Sequence, residues 1–243
     1  MNKALAAGAA GMALQQSVLD AIAVNLANSD TPGYRADRPE FAALLTPDGH
    51  GIGVARQDPR RLFTQGKIET TGKDDDLAID GEGLFEVRSP SGTAYTRAGN
   101  FSRDALGRLR LPNGAMLADI RLPRGTTTFS VSAGGEVRAH VAGRAGTVSA
   151  GRVRLYSFSD NASLRLCPDG LFYPTASAGQ RFGAFSSSSG FGTVKQRCLE
   201  RGNVSVIAAM MAILTAQRAY EANAKSVQAA DEMLRLANNV ERG

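Results

Sequence analysis

The two ends of this chain repeat an apolar side chain every seven residues, and the middle does not. Leu5, Met12, Leu19 and Leu26 recur at that interval, with Ile22 adding a further apolar position. Between Ala4 and Ser29 there is no proline, and Asp20 is the sole ionisable side chain. This spacing predicts a helix with one apolar seam. Thr31-Pro32-Gly33 ends it, because proline and glycine do not continue a helix. The C-terminal end repeats the design. From Val204 to Val240 there is neither proline nor glycine. Val206, Ile213, Tyr220, Val227 and Leu234 recur every seven residues, each followed three positions later by Ala209, Ala216, Asn223, Ala230 and Ala237. Large residues in one column and small ones in the other let helix backbones approach closely along the whole length. Asn203, after Gly202, is the expected N-cap.

Between these helices, residues 35–201 hold nearly all of the 27 glycines. Short alternating runs occur at Leu84–Val87, Leu106–Leu111, Gly135–Val141 and Gly151–Phe158. Ser89-Pro90-Ser91-Gly92, Pro112-Asn113-Gly114 and Pro168-Asp169-Gly170 interrupt them, and Ser186–Gly190 reads as a flexible loop. This is the pattern of short strands joined by tight turns. The expected fold class is therefore α+β. Helices at residues 1–34 and 202–243 form a coiled-coil stalk, and residues 35–201 form a central all-β domain. A free monomer has little to cover two apolar seams, so the helices pair with each other or with other copies.

The chemistry of catalysis is missing from the pattern. There is no His-Glu-x-x-His and no Gly-x-Ser-x-Gly. Gln65-Gly66-Lys67 lacks the upstream glycine of a phosphate loop, and Gly81-Glu82-Gly83-Leu84-Phe85 is not a dinucleotide fingerprint. Lys73-Asp74-Asp75-Asp76 does not have the spacing of a Ca²⁺ loop and reads as a turn before a strand at Leu77. With two histidines, His50 and His140, and two cysteines, Cys167 and Cys198, zinc ligands are too few. His50 falls in a loop, and His140 in an alternating run. The cysteines read as small packed side chains, and one bridge between them stays open. The expectation is no enzyme, no cofactor and no metal. Lys plus Arg exceeds Asp plus Glu by five. That excess is too small and dispersed to predict nucleic-acid binding. No apolar run is long enough to span a membrane. Ala4–Leu14 is too weakly hydrophobic for a cleaved signal peptide, and the seam runs on past any cleavage point.

Three ordered motifs carry a resemblance. Gly11–Gln16, Ile22–Asn28 and Thr31–Arg35 resemble the N-terminal motif of bacterial flagellar rod and hook proteins. Leu77–Phe85 and Tyr95–Phe101, followed by Asp104 and Gly107, are similar to the central motif of that family. Ala216–Asn223, continuing through Ala230–Leu234, is similar to its C-terminal motif. Within the family, Gly11–Gln16 with Arg38 and Phe41–Leu45 favours the distal rod members. The short stretch between Leu45 and Ile52 keeps the proximal rod members as an alternative, and the hook protein is a more distant one.

The resemblance implies a structural subunit that self-assembles into a hollow helical tube, transmitting torque and serving as an export channel. It implies neighbouring rod and hook proteins, the flagellar type III export apparatus and ring proteins around the rod as partners. The location it implies is the periplasmic rod of the basal body, reached without a cleaved signal. The assembly interface then comprises Leu5, Met12, Leu19, Ile22, Asn25, Leu26 and Asn28 of the first helix. From the second come Val206, Ile213, Gln217, Arg218, Tyr220, Asn223, Val227 and Leu234. Asn25 and Asn28 otherwise read as C-capping groups, and Gln217 and Arg218 as a solvated helix face. Pro32, Gly33, Gly81, Gly83 and Gly99 serve turns. A reading of a different class is an oligomeric binding module on a helical stalk.

Overall fold

The computed structural model describes residues 3–45, 51–56, 60–188 and 190–240. The short stretch at 46–50, His50 included, lies outside the described residues. Two helices flank a central region of short antiparallel strands. The chain divides into two compact units.

The first unit contains residues 1–29, 37–61 and 204–243. Helix α1 spans Lys3–Ala27 and helix α2 spans Val206–Val240. They lie antiparallel. Gly8 of α1 sits against Val227 of α2, and Gly11 sits against Asn223, so advancing along one helix means retreating along the other. A Cβ at Gly8 would collide with the Val227 side chain, and one at Gly11 would crowd the Asn223 amide. The two glycines set how closely the backbones approach. Residues 37–61 contribute a two-stranded ribbon, Phe41–Leu45 against Gly51–Arg56, and a short pairing of Asp37–Arg38 with Arg60–Arg61. Helix α2 begins later than the Val204 boundary suggests. Ser205 Oγ accepts from the backbone N–H of Ala208 at 3.3 Å, so Ser205 caps the helix in place of Asn203. The Asn203 side chain is engaged elsewhere.

The second unit contains residues 30–36 and 62–203. Its central strand is Leu84–Ser89. One edge of that strand pairs with Gly92–Thr96. The other edge is shared, with Arg154–Phe158 along Leu84 and Phe85, and Met116–Leu117 along Val87 and Arg88. The alternation of a strand then divides the side chains. Phe85 and Val87 enter a large core with Leu77, Ile79, Phe101, Leu109 and Leu155. Leu84 enters a smaller one with Tyr95, Tyr156, Phe158 and Phe172. A separate three-stranded sheet, Thr126–Val131, Glu136–Val141 and Thr147–Arg152, closes the large core with Phe129 and Val137. His140 lies in the middle strand of that sheet.

Two of the alternating runs are shorter than their pattern suggests. Only Leu109–Arg110 of Leu106–Leu111 is a strand. Asp104 takes the rest into a turn, accepting from the N–H groups of Leu106 (2.9 Å) and Arg108 (2.8 Å). The Gly151–Phe158 run breaks at Val153, whose N–H bonds the Gly135 carbonyl at 2.8 Å, and its halves join different sheets. Ser186, read as the start of a loop, is buried, and its hydroxyl accepts from Val194 N–H at 2.9 Å. Ser189 lies outside the described residues. Cys167 and Cys198 are free thiols.

Candidate assembly site

The helical unit presents two different faces. Along the α1–α2 seam, Leu5, Met12, Leu19, Ile22 and Leu26 are half-buried, as are Ile213, Asn223 and Val227. Ala216 and Ala230 are buried. The small column of the seven-residue pattern is thus the most enclosed, as close backbone approach requires. Val206 and Tyr220 are about two-fifths exposed, and Gln217 and Arg218 are exposed. Leu234 lies in α2, but its side chain is outside the described residues.

A second apolar stripe runs along α2 away from that seam. Ile207, Met210, Met211 and Leu214 are 75%, 56%, 66% and 57% exposed. Their spacing of i, i+3, i+4, i+7 places them on one face. Four large apolar side chains contiguous in water are the mark of a surface meant to be covered. In the sequence this stripe is a run of apolar residues at positions 207, 210, 211 and 214, offset from the seven-residue columns.

The end of α1 is tied down by its two asparagines in different ways. Asn28 caps the helix, its Nδ2 donating to the Val24 carbonyl at 2.9 Å. Asn25 does more than cap. Its Nδ2 donates to the Asp37 carbonyl (2.8 Å) and its Oδ1 accepts from the Asp37 N–H (2.9 Å). This two-way amide pair fixes where the chain resumes after the turn. Asp37 also pairs with Arg61 at 3.1 Å. Its pKa is raised, because burial outweighs the attraction of Arg61.

In the second unit, three separated chain segments converge on Glu200. Its Oε1 accepts from Arg35 Nη2 at 2.8 Å and from Gly66 N–H at 2.8 Å. Its Oε2 accepts from Arg97 Nη1 at 3.0 Å. Arg35 and Glu200 are each 1% exposed and Arg97 is 4%. Two guanidinium groups on one carboxylate leave a buried positive charge, which carbonyl dipoles moderate. Arg97 also donates to the carbonyls of Ile79 (3.3 Å) and Gly81 (2.6 Å). Burial lowers the Arg35 pKa, Glu200 opposes that, and Arg97 adds to it. Three residues on, Asn203 Oδ1 accepts from Ala36 N–H (2.7 Å) and its Nδ2 donates to the carbonyls of Leu62 (2.6 Å) and Thr64 (3.1 Å). Arg201 pairs with Glu69 and Asp30. Arg35 and Arg97 stand inside the sequence motifs, yet nothing in their local pattern pairs them with Glu200.

The turn residues fall where chain crowding needs them. Gly33 is buried with φ +70°, and a Cβ there would collide with the backbone of Arg97 and Ala98. Its N–H bonds the Glu200 carbonyl at 2.8 Å. Pro32 beside it is half-buried. Gly81 and Gly83 take φ of +110° and +127°, and Gly99 backs directly onto Leu77. Among the described residues no group of three or more His, Cys, Asp or Glu side chains could hold a metal ion. No described helix is long and apolar enough to cross a membrane.

A folded strand domain bracketed by terminal helices, one carrying an uncovered apolar stripe, defines a class of assembling structural proteins. Residues 5–35 match the family described as Flagella basal body rod protein. Residues 78–139 match the Flagellar hook protein FlgE/F/G D1 domain, and residues 195–240 the Flagellar basal body rod FlgEFG protein C-terminal family. The chain is 34% identical over 266 residues to the flagellar basal-body rod protein FlgG of Borreliella burgdorferi, covering the whole of both. It is also 34% identical to FlgG of Agrobacterium fabrum, over 97% of this chain and 98% of that one. To FlgG of Caulobacter vibrioides it is 34% identical, over 98% and 99%. The chain belongs to the flagellar basal-body rod protein family.

Proposed function

We propose that this chain is a structural subunit of the distal flagellar rod, which polymerises through its terminal helices into a hollow tube. The tube transmits torque and carries exported subunits, and its chemistry is mechanical rather than enzymatic. The observation that carries this reading is the uncovered stripe of Ile207, Met210, Met211 and Leu214 on a helix whose other face is already in use. Burying a large apolar side chain is worth about 1.5–3 kcal/mol. Four of them per subunit, repeated along a polymer, favour association strongly. End-to-end likeness to FlgG relatives supports the distal rod over the hook.

In this reading the α1–α2 pair of each copy, packed along its own seam, meets the pairs of other copies through the α2 stripe, and together they build the coiled-coil layer. The strand unit contacts neighbouring subunits as well. Adjoining rod and hook proteins, ring proteins and the flagellar export apparatus are the partners, and the subunit works in the periplasm after export without a cleaved signal. Deleting Val204–Gly243 tests it. The expected result is a folded strand unit that no longer enters basal bodies. Normal rods built from the truncated chain would overturn the reading.

A further inference from the structure

The strand unit carries opposite charge at the two ends of its central strand. At the far end of Leu84–Ser89, Arg88 pairs across the sheet with Met116, and Met116 pairs with Arg110. Residues in register share a face, so these three side chains stand together on the face opposite Val87, Leu117 and Leu109, which are buried. Arg88 and Arg110 are exposed. Arg88, Arg108 and Arg121 line a cleft of about 320 Å³ floored by Leu117 and Ile120. Asp104 holds Arg108 at 2.7 Å. The side chains of Arg88, Arg110 and Arg121 make no hydrogen bond or ion pair among the described residues. Asp119 is the one carboxylate lining the cleft, so the surface remains cationic.

At the near end of the same strand stands Glu82, between Gly81 and Gly83. Its side chain is exposed and makes no hydrogen bond or ion pair among the described residues, although its charge is felt by the buried Arg35. The turn that presents it is rigid. The Glu82 carbonyl accepts from Gly192 N–H at 2.8 Å. Gly81 and Gly83 press against Gly192 and Leu155 so closely that a Cβ at either would clash. The strand from Leu84 to Arg88 alone spans about 13 Å, and Glu82 sits in the turn two residues before it. The strand therefore keeps the two charges from meeting within one chain. A contact between different patches on successive copies does not close on itself, and it generates a filament.

Given the polymer reading above, on which this rests, we propose a head-to-tail contact between strand units in which Glu82 of one copy enters the Arg88–Arg110–Arg121 surface of the next. The contact is polar. It adds a directional element to the non-directional apolar cover of α2.

Two full-length variants test it, Glu82→Arg and the double variant Arg88→Glu/Arg121→Glu, assayed by sedimentation of purified chain at about 150 mM salt. Each variant is first checked for unchanged circular dichroism and melting, and Glu82→Gln is run beside Glu82→Arg because the Glu82 charge also acts on the buried Arg35. Either variant alone is expected to raise the concentration needed for polymer about tenfold or more. An equimolar mixture is expected to polymerise like the wild type. The guanidinium introduced by Glu82→Arg then meets the carboxylates of the double variant, whose own Glu82 meets intact arginines. Variants that polymerise normally, or a mixture that stays soluble, would overturn the contact while leaving the rod reading in place. A wild-type chain that forms no polymer would overturn the rod reading and this contact with it.

Discussion

Arg35 and Glu200 stand 165 positions apart and form an ion pair at 2.8 Å with both side chains fully out of solvent. Glu200 also holds Arg97. The segment that follows the first helix and the one that precedes the second are thereby fastened to the same point of the strand unit.

Removing the carboxylate charge should be costly there. Glu200→Gln leaves two buried guanidinium groups without a counter-charge, a loss of about 3–5 kcal/mol. Urea unfolding of the strand unit should show that loss in the extrapolated free energy, as a lower midpoint with little change in slope. A loss below about 1 kcal/mol would mean that water reaches the pair.

Glycine substitutions should separate strain from collision. Gly33 and Gly92 both have positive φ, but nothing lies within 4 Å of a Cβ at Gly92. Gly92→Ala should cost about 1–2 kcal/mol through backbone conformation alone. Gly33→Ala, which also meets the Arg97–Ala98 backbone, should cost distinctly more. Equal melting temperatures for the two variants would contradict this.

The two faces of α2 should answer differently to one substitution. Ile213 shares the seam with Ala216, Asn223 and Val227, whereas Met211 stands on the open stripe. Ile213→Asp should lower the stability of the helical unit and block assembly, because it places an unpaired charge in a packed seam. Met211→Asp should leave monomer stability within about 0.5 kcal/mol and still block assembly. Circular dichroism and sedimentation read the two effects separately. Assembly of Met211→Asp at wild-type concentration would remove the stripe from the interface.

Acid should act on the two units with opposite sign. Hydrogen bonds from Arg108, first through its backbone, lower the Asp104 pKa, and Lys195 followed by Gln65 lowers that of Asp80. Depressed carboxylates contribute stability above their unfolded values, and it is lost as pH falls through the folded ones. Asp37, in the helical unit, is raised by burial. Its contribution runs the other way, and it favours folding more as pH falls from its folded value to its unfolded one. Melting between about pH 2 and 6 should therefore show the strand unit weakening first. Asp104→Asn should flatten that limb.

Much of this architecture was legible because it rests on local pattern. Seven-residue columns specify a helix at each end, and the small column with Ala216 and Ala230 marks where backbones touch, whereas Gly8 and Gly11 lie outside the columns and show their part only in the packing. Turn chemistry at Asp104 and Val153 was not legible from alternation, since one side chain or one carbonyl decides whether a run stays extended. The Glu200 cluster was hidden for another reason. A buried ion pair is a relation between distant segments, and each member alone looks like an ordinary surface charge. Asn203 shows the same limit, because its position suits a helix cap, yet it bonds Ala36, Leu62 and Thr64.

The most direct test of the central claim is quantitative mass spectrometry of detergent-extracted hook–basal bodies, with this chain measured against the hook subunit. The rod reading predicts many copies per particle that survive a high-salt wash. Well-formed basal bodies that lack the chain would contradict it.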